Sequence, residues 1–327
     1  MTTEERNAWL AERKQGIGGS EAAAIMGLSP WSTPATIWLD KTGRSGPKEE
    51  TEAMRIGTEL EDFVARRYCQ ETGRTVQRFN KMIHVDCLLG NFDRLVVREG
   101  EKVASHMGEV RTNLLLECKT SSREWEDGVP LYYQTQVQHY MGLEPKLEAA
   151  DVACLFLGRK HFEIYRVERD QAVIDHMQTY LRAWWDKHIV HDEMPSPTNE
   201  ADCKLLWARS NPGKTVEGTP EIKLKLEALA NLKADQKTAK EAASELQSEI
   251  EAFMGDAEII ADVTGKPWCT WKSAKDTVKV NWEALARALG ATDAQIKDYT
   301  TSTPGSRRFN VKKIETAAGG DGPAPRE

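Results

Sequence analysis

The chain has no apolar run approaching the roughly eighteen residues that cross a bilayer, so no membrane-spanning helix is expected. Its six cysteines, at 69, 87, 118, 154, 203 and 269, are too scattered for a CxxC metal or redox motif. There is no basic excess either. The formal net charge of −7 argues against nonspecific coating of nucleic acid, although a local basic channel stays open. Enzymes that hold metal ions on carboxylates carry acidic charge in the site itself, so net charge discriminates poorly here. The opening stretch MTTEERNAWLAERK is charged and amphipathic, with none of the apolar character of a signal peptide, so a cytoplasmic location with reduced thiols is expected. There is no internal repeat.

What is present fits a globular protein of one large domain with an appendage, or of two domains. The 327 residues can bury a substantial core, and 40% hydrophobic against 29% charged is an ordinary balance for such a chain. In STPATIWLDKTG, Thr33 is a plausible N-cap, Pro34 sits at the first helical position and Gly43 is a stop. MRIGTELEDFVARRYCQETG carries Leu60, Phe63, Val64 and Tyr68 as a helical stripe that ends near Gly73. From Lys81 the character turns extended. KMIHVDCLLG and NFDRLVVREG read as neighbouring strands, LLLECKT as a third, and VACLFL with HFEIYRV as a hairpin.

A helix is expected after Pro130, and another across RDQAVIDHMQTYLRAWWDKHIV up to the MPSPT linker. The pattern predicts an α/β fold, a central mixed sheet flanked by helices. The last third differs. EIKLKLEALANLKADQKTAKEAASELQSEIEAFMG reads as one long helix whose apolar spacing is too irregular in the middle for a strict coiled coil. KPWCTWKS and SRRFNVKK are expected as strands around a small helix, NWEALARALG. The expected boundaries are 1–198 for the main domain, 199–256 for a helical extension, 257–316 for a small α+β segment and 317–327 for a disordered tail.

One short run raises the chemical question. LLLECKTSS begins as a buried strand and then sets Glu117 and Lys119 two residues apart, hence on one face. An edge strand with a solvated face would explain them. Context points elsewhere, because Asp93 in GNFDRLVV stands where the preceding strand leaves a turn. Adjacent strands would bring its carboxylate beside Glu117, and the pair could hold a hard cation such as Mg²⁺ together with the carbonyl of Cys118. Lys119 would then lower the cost of forming hydroxide and offset charge developing on a phosphoryl group. Asp93 as a simple turn residue is the competing reading.

Asp93 followed by Glu117-Cys118-Lys119 resembles the PD-(D/E)xK nuclease superfamily, without the proline that names its motif. RKQGIGGSEAAAIMG (residues 13–27), the GxxxE of Gly57 to Glu61, and PxxYxxQxxxY across Pro130, Tyr133, Gln136 and Tyr140 surround that core in order. Together they resemble the YqaJ-type viral recombinases, relatives of bacteriophage lambda exonuclease, over roughly residues 5 to 190. The resemblance implies a restriction-endonuclease-like core. It also implies that Arg13 and Ser20 bind a 5′-terminal phosphate, that Glu61 is a further acid at the metals, and that Gln136 positions water or the scissile phosphate. Ser20 can cap the helix that follows it, and an ordinary capped helix with a surface Arg13 stays open. Glu61 as a solvated helical acid and Gln136 on a polar helix face stay open too.

Tyr140 is a possible DNA contact, as are Arg307 and Arg308 in the basic stretch near the C-terminus, which could equally solvate an edge strand. Trp31 and Trp38 are expected in the core, with base stacking the alternative. His139 has no second His or Cys at ligand spacing and reads as structural or surface.

The resemblance implies a phage or prophage exonuclease acting in a bacterial host. It would use two Mg²⁺ ions, with Mn²⁺ a possible substitute, about 3.5 to 4 Å apart. It would degrade the 5′ strand of duplex ends to leave 3′ overhangs for a single-strand annealing protein, and assemble as a ring-shaped trimer. A restriction-like or structure-specific endonuclease is the near alternative. A noncatalytic DNA-end or partner-binding module, with the long helix as its working surface, is the distant one. An iron–sulphur nuclease is disfavoured by the scattered cysteines.

Overall fold

The computed structural model describes residues 3–46, 50–158, 160–276 and 280–301; Arg307, Arg308 and the expected strand SRRFNVKK lie outside them. The chain divides into two compact units, Met1–Trp207 and Ala208–Glu327.

The first unit opens with four helices, α1 (Thr3–Arg13), α2 (Gly19–Ile25), α3 (Pro34–Lys41) and α4 (Glu52–Thr72). Their ends follow local chemistry. Thr33 accepts a hydrogen bond from the Thr36 amide at 3.2 Å and Pro34 fills the first turn of α3. Helix α4 starts at Thr51 and stops at Gly73, whose φ of 69° is the left-handed cap that glycine takes without strain. Its buried stripe is Val64, Ala65 and Tyr68; Phe63, expected in that stripe, is exposed.

Short strands follow: β1 (Val76–Arg78), β2 (Ile83–Val85), β3 (Leu88–Gly90), β4 (Arg94–Val96), β5 (Ser105–His106) and β6 (Glu109–Val110), then the long β7 (Leu114–Ser121). After α5 (Leu131–Leu143) come β8 (Ala149–Phe156) and β9 (His161–Glu168). Helix α6 (Gln171–Trp185) runs into a π-helical turn, Asp186–Val190, and α7 (Glu200–Leu206) closes the unit.

The central sheet has the order β1-β4-β7-β8-β9, with β7 and β8 parallel and the other neighbours antiparallel. The expected α/β arrangement, a mixed sheet flanked by helices, is therefore present. A parallel pair needs a long crossover, and α5 supplies it. Two expectations change. KMIHVDCLLG is not one strand beside β4 but a hairpin of its own, β2 against β3, turning at Asp86 with φ 53°. The neighbour of β4 on that side is β1.

Strand β7 explains its leucines, because both of its faces are covered and alternation sends consecutive side chains to opposite cores. Leu115 packs with Val137, Tyr140 and Met141 of α5 and with Ile174 of α6. Leu114, Leu116 and Cys118 pack with Val64, Ala65 and Tyr68 of α4. Burying a leucine fully contributes about 1.5–3 kcal/mol, so this run anchors the sheet. Glu117 and Lys119 share the parity of Leu115 and emerge on the α5 side.

The second unit contains α8 (Pro220–Met254), the antiparallel pair β10 (Ile259–Ala261) and β11 (Pro267–Thr270), α9 (Trp282–Ala288) and α10 (Asp293–Asp298). Thr219 caps α8, accepting from the Ile222 amide at 3.3 Å. Strand β11 lies within the expected KPWCTWKS, and its partner is β10. Among the described residues no helix is long and apolar enough to cross a membrane.

Candidate active site

The ladder between β4 and β7 pairs Leu95 with Leu115 and Arg94 with Leu116, and stops there. Continued by one step, it sets Asp93 against Glu117. Asp93 has left the strand, and its Oδ2 accepts a hydrogen bond from the Cys118 amide at 2.8 Å, so a side chain replaces the missing ladder partner. A strand residue directs its N–H and C=O to the same edge, so the Cys118 carbonyl also faces the Asp93 side.

Glu117, 1% exposed, is fixed through one oxygen. Its Oε1 accepts from Lys119 Nζ at 2.7 Å and from Gln136 Nε2 at 2.6 Å. Gln136 uses both ends of its amide: Oε1 accepts from Lys119 Nζ at 3.2 Å, and Nε2 also donates to the Tyr140 hydroxyl at 2.9 Å. An oxygen toward the ammonium and a nitrogen toward the carboxylate fix the orientation of that amide. Lys119 lies 4.7 Å over the Tyr133 ring. The other oxygen, Glu117 Oε2, is buried with no hydrogen-bond partner.

The electrostatics are those of a site short of positive charge. Burial and then the nearby Glu117 push Asp93 well above the usual carboxylate range; burial also raises Glu117, against the pull of Lys119. Burial opposes the Lys119 charge, but Glu117 and Asp93 outweigh it and hold the ammonium protonated. An orphaned carboxylate oxygen beside a second acid fits a hard divalent cation, which takes oxygen donors from one or two carboxylates and completes its shell with water or substrate oxygens. The donor set is Asp93, Glu117 and the Cys118 carbonyl.

Glu61 does not join it. Among the described residues, no three His, Cys, Asp or Glu side chains form a group able to hold a metal. The reason is Arg94, which ion-pairs with Glu61 at 2.6 Å, bonds the Asp93 carbonyl at 2.5 Å and also engages Asp62. Glu61 is thus a counter-charge to Arg94 that acts on Asp93 and Glu117 through space. Tyr140 faces inward. It is buried, its hydroxyl is taken by Gln136 and its ring packs 5.3 Å from Phe92, so it braces the site.

The expected phosphate pocket is built differently. Ser20 does not cap α2: Gly18 is the N-cap, Glu21 accepts from the Gly18 amide at 2.7 Å, and Ser20 is exposed in the first turn. Arg13 lies 3.6 Å from Glu21, and the buried Lys41 lies 2.8 Å from the same carboxylate while donating to the Arg13 carbonyl at 2.6 Å. Two cations therefore share one acid. Gly19 ties this corner to the catalytic layer, since a Cβ there would stand 2.7 Å from Tyr140 Cε1 and 3.0 Å from Gln136 Cγ.

Sequence reasoning passed over Tyr133 as a cation partner, Arg94 and Lys41. Tyr133 stood in the quoted motif and Arg94 directly after Asp93; nothing local marked Lys41. His139 is structural. It is fully buried and bonds the Leu89 carbonyl at 2.9 Å, and burial pushes its pKa down to about 4. Trp38 is in the core, whereas Trp31 is exposed.

Residues 8–143 match the model of the YqaJ-like viral recombinase domain. The chain is 34% identical over 323 residues to the uncharacterized protein YqaJ of Bacillus subtilis (strain 168), covering 94% of this chain and 95% of that one. Among solved structures it is similar to an alkaline exonuclease from Laribacter hongkongensis, with 19% identity, TM-score 0.43, and 57% of this chain and 93% of that one covered. A phage-related exonuclease from Haemophilus somnus 129PT gives 13% identity and TM-score 0.39, over 54% and 96% of the two chains. With a full-length relative at that identity, and the ordered motifs around Asp93 and Glu117 inside the matched span, the chain belongs to the YqaJ-like viral recombinase family.

Proposed function

We propose that this chain is a Mg²⁺-dependent DNA exonuclease that hydrolyses the 5′ strand of linear duplex ends and leaves 3′ overhangs. The observation that carries the reading is Glu117 Oε2, a buried oxygen without a partner, on an acid set opposite Asp93 and bonded to the half-buried Lys119. Leaving a buried carboxylate oxygen unsatisfied costs about 1–3 kcal/mol, a cost that a cation held between the two acids would offset.

Asp93, Glu117 and the Cys118 carbonyl would hold the metal, with Mn²⁺ able to replace Mg²⁺ and a second ion completed by substrate oxygens. The chemistry a bound metal would supply there is polarisation of the scissile phosphate and activation of water as a nucleophile at neutral pH. Lys119 is held by Glu117 and Gln136 so that its charge is fixed before the phosphate arrives, and it offsets the negative charge that develops on the phosphoryl oxygens. Gln136 keeps Glu117 and Lys119 at a set separation. Arg13, with Lys41 behind it and Ser20 at the first turn of α2, would receive the 5′-terminal phosphate; the shared Glu21 leaves that corner one positive charge in excess.

The recombinase family supports a role in which the overhang passes to a single-strand annealing protein, with the enzyme a ring-shaped trimer in the cytoplasm of a phage-carrying bacterium. The test is digestion of linear duplex with and without a 5′ phosphate beside a covalently closed circle. Nucleotides should leave only linear ends, faster from phosphorylated ones, with the preference reduced by Arg13→Ala. Cleavage of the circle would mean an endonuclease, and indifference to the phosphate would remove the pocket.

A further inference from the structure

Trp38, Phe92 and Phe156 are buried, but Trp31 is 68% exposed. An indole left in water gives up most of the burial energy that usually decides where tryptophan goes. It is nevertheless held in place. Ser29 Oγ accepts from the amides of Trp31 and Ser32 at 3.2 and 3.3 Å, and Thr33, which caps α3, donates its hydroxyl to the buried Asp202 at 2.6 Å. The loop between α2 and α3 is pinned on both sides of Trp31.

The neighbours of the indole lead to the reacting centre. Trp31 meets Tyr132 edge to face at 4.8 Å and lies 6.3 Å from Tyr133; the Tyr133 ring in turn carries the Lys119 ammonium at 4.7 Å. The two tyrosines are themselves in edge contact at 4.4 Å. Two ring contacts therefore separate an open indole from the lysine that hydrogen-bonds Glu117, a span that a nucleotide or two can cover. Both tyrosines are half-buried and cannot offer the same open face.

We propose that Trp31, backed by Tyr132, is a nucleobase-stacking platform that holds a base of the strand being degraded while its phosphate lies at Lys119. The inference rests on the nuclease reading of the same site and adds to it how the strand is gripped. An enzyme that removes nucleotides one after another needs a hold that tolerates every sequence, and an aromatic face provides one because every base has a π-face. No base-specific hydrogen bond is required. Order in the loop before the base arrives reduces the entropy lost on binding.

The test compares wild type, Trp31→Ala and Trp31→Phe on linear duplexes whose degraded strand is unmodified or carries one abasic residue. Wild type should pause about tenfold at the abasic position. Trp31→Ala should degrade unmodified DNA about tenfold more slowly, mainly through KM, and show no added pause, while Trp31→Phe should restore most of the rate and the pause. A second arm measures binding of the same two DNAs in a Glu117→Ala background, with and without Trp31→Ala. It reads stacking without cleavage, and the abasic penalty should vanish when Trp31 is removed. An abasic pause and an abasic binding penalty that persist in Trp31→Ala would overturn the platform and leave the nuclease reading standing. Absence of digestion by wild type would overturn the nuclease reading, and the binding arm would still judge the platform.

Discussion

Helices α5 and α8 are built on opposite terms. Helix α5 has 13 residues and buries eight of them, among them Gln136, Gln138 and His139, whereas α8 has 35 residues and buries Met254 alone. By composition α8 is the stronger helix, rich in Ala, Glu, Lys and Leu, with i,i+4 ion pairs such as Lys225–Glu221 at 2.6 Å. Helix α5 lacks a side-chain N-cap and carries aromatic and β-branched residues; packing holds it. In such a helix a polar side chain must find a partner, and those partners define the site. Gln136 bonds Glu117, Gln138 donates to the Glu168 carbonyl at 2.7 Å, and His139 bonds the Leu89 carbonyl. Buried polar atoms on a packed helix mark chemistry or anchoring; apolar residues on an open one, such as Phe253 and Leu246, do not mark a core.

The contrast breaks first at the residues α5 positions. Lys119→Ala should reduce the single-turnover rate about 10²–10⁴-fold while end binding persists; a rate within a few-fold of wild type would detach the lysine from the chemistry. Met141→Ala, which empties a fully buried position on α5, should cost about 2–5 kcal/mol in denaturant unfolding.

His139 gives a pH signature of about 3 kcal/mol. The folded protein refuses a proton that the unfolded chain takes below about pH 6.5. The contribution of neutral His139 is therefore complete above that pH and is lost progressively as pH falls toward about 4. His139→Gln should flatten the stability curve across that window, and parallel curves for the two proteins would contradict it. Leu246→Ala on α8 should change stability by less than about 0.5 kcal/mol, and a larger loss would show that α8 is packed in solution.

Much of this was legible in the sequence where the signal is local. Thr33-Pro34 and Gly73 mark helix ends by backbone chemistry, and the period of two in LLLECKT puts Glu117 and Lys119 together. Asp93 follows from antiparallel adjacency. The misreadings share a cause. KMIHVDCLLG hides its turn at Asp86 because no Gly or Pro marks it, although Asp tolerates the left-handed region. Ser20 looked like a cap, but α2 starts one residue before it, with Gly18 as the N-cap and Glu21 bonded to the Gly18 amide. Glu61 pairs with Arg94 instead of standing beside Asp93 and Glu117, because the choice a guanidinium makes among acids is settled by packing between α4 and β4. Tyr140 lies one turn from Gln136, and its burial and the close approach of Gly19 show that it faces inward.

We propose that Glu117, opposite Asp93, holds the divalent ion on which hydrolysis depends. Single-turnover nucleotide release from end-labelled linear duplex in Mg²⁺, with DNA binding followed in parallel, tests it most directly. Wild type should release nucleotides and stop when the metal is chelated, and Glu117→Ala should bind the same ends and release none. Equal release by the two proteins would contradict the account.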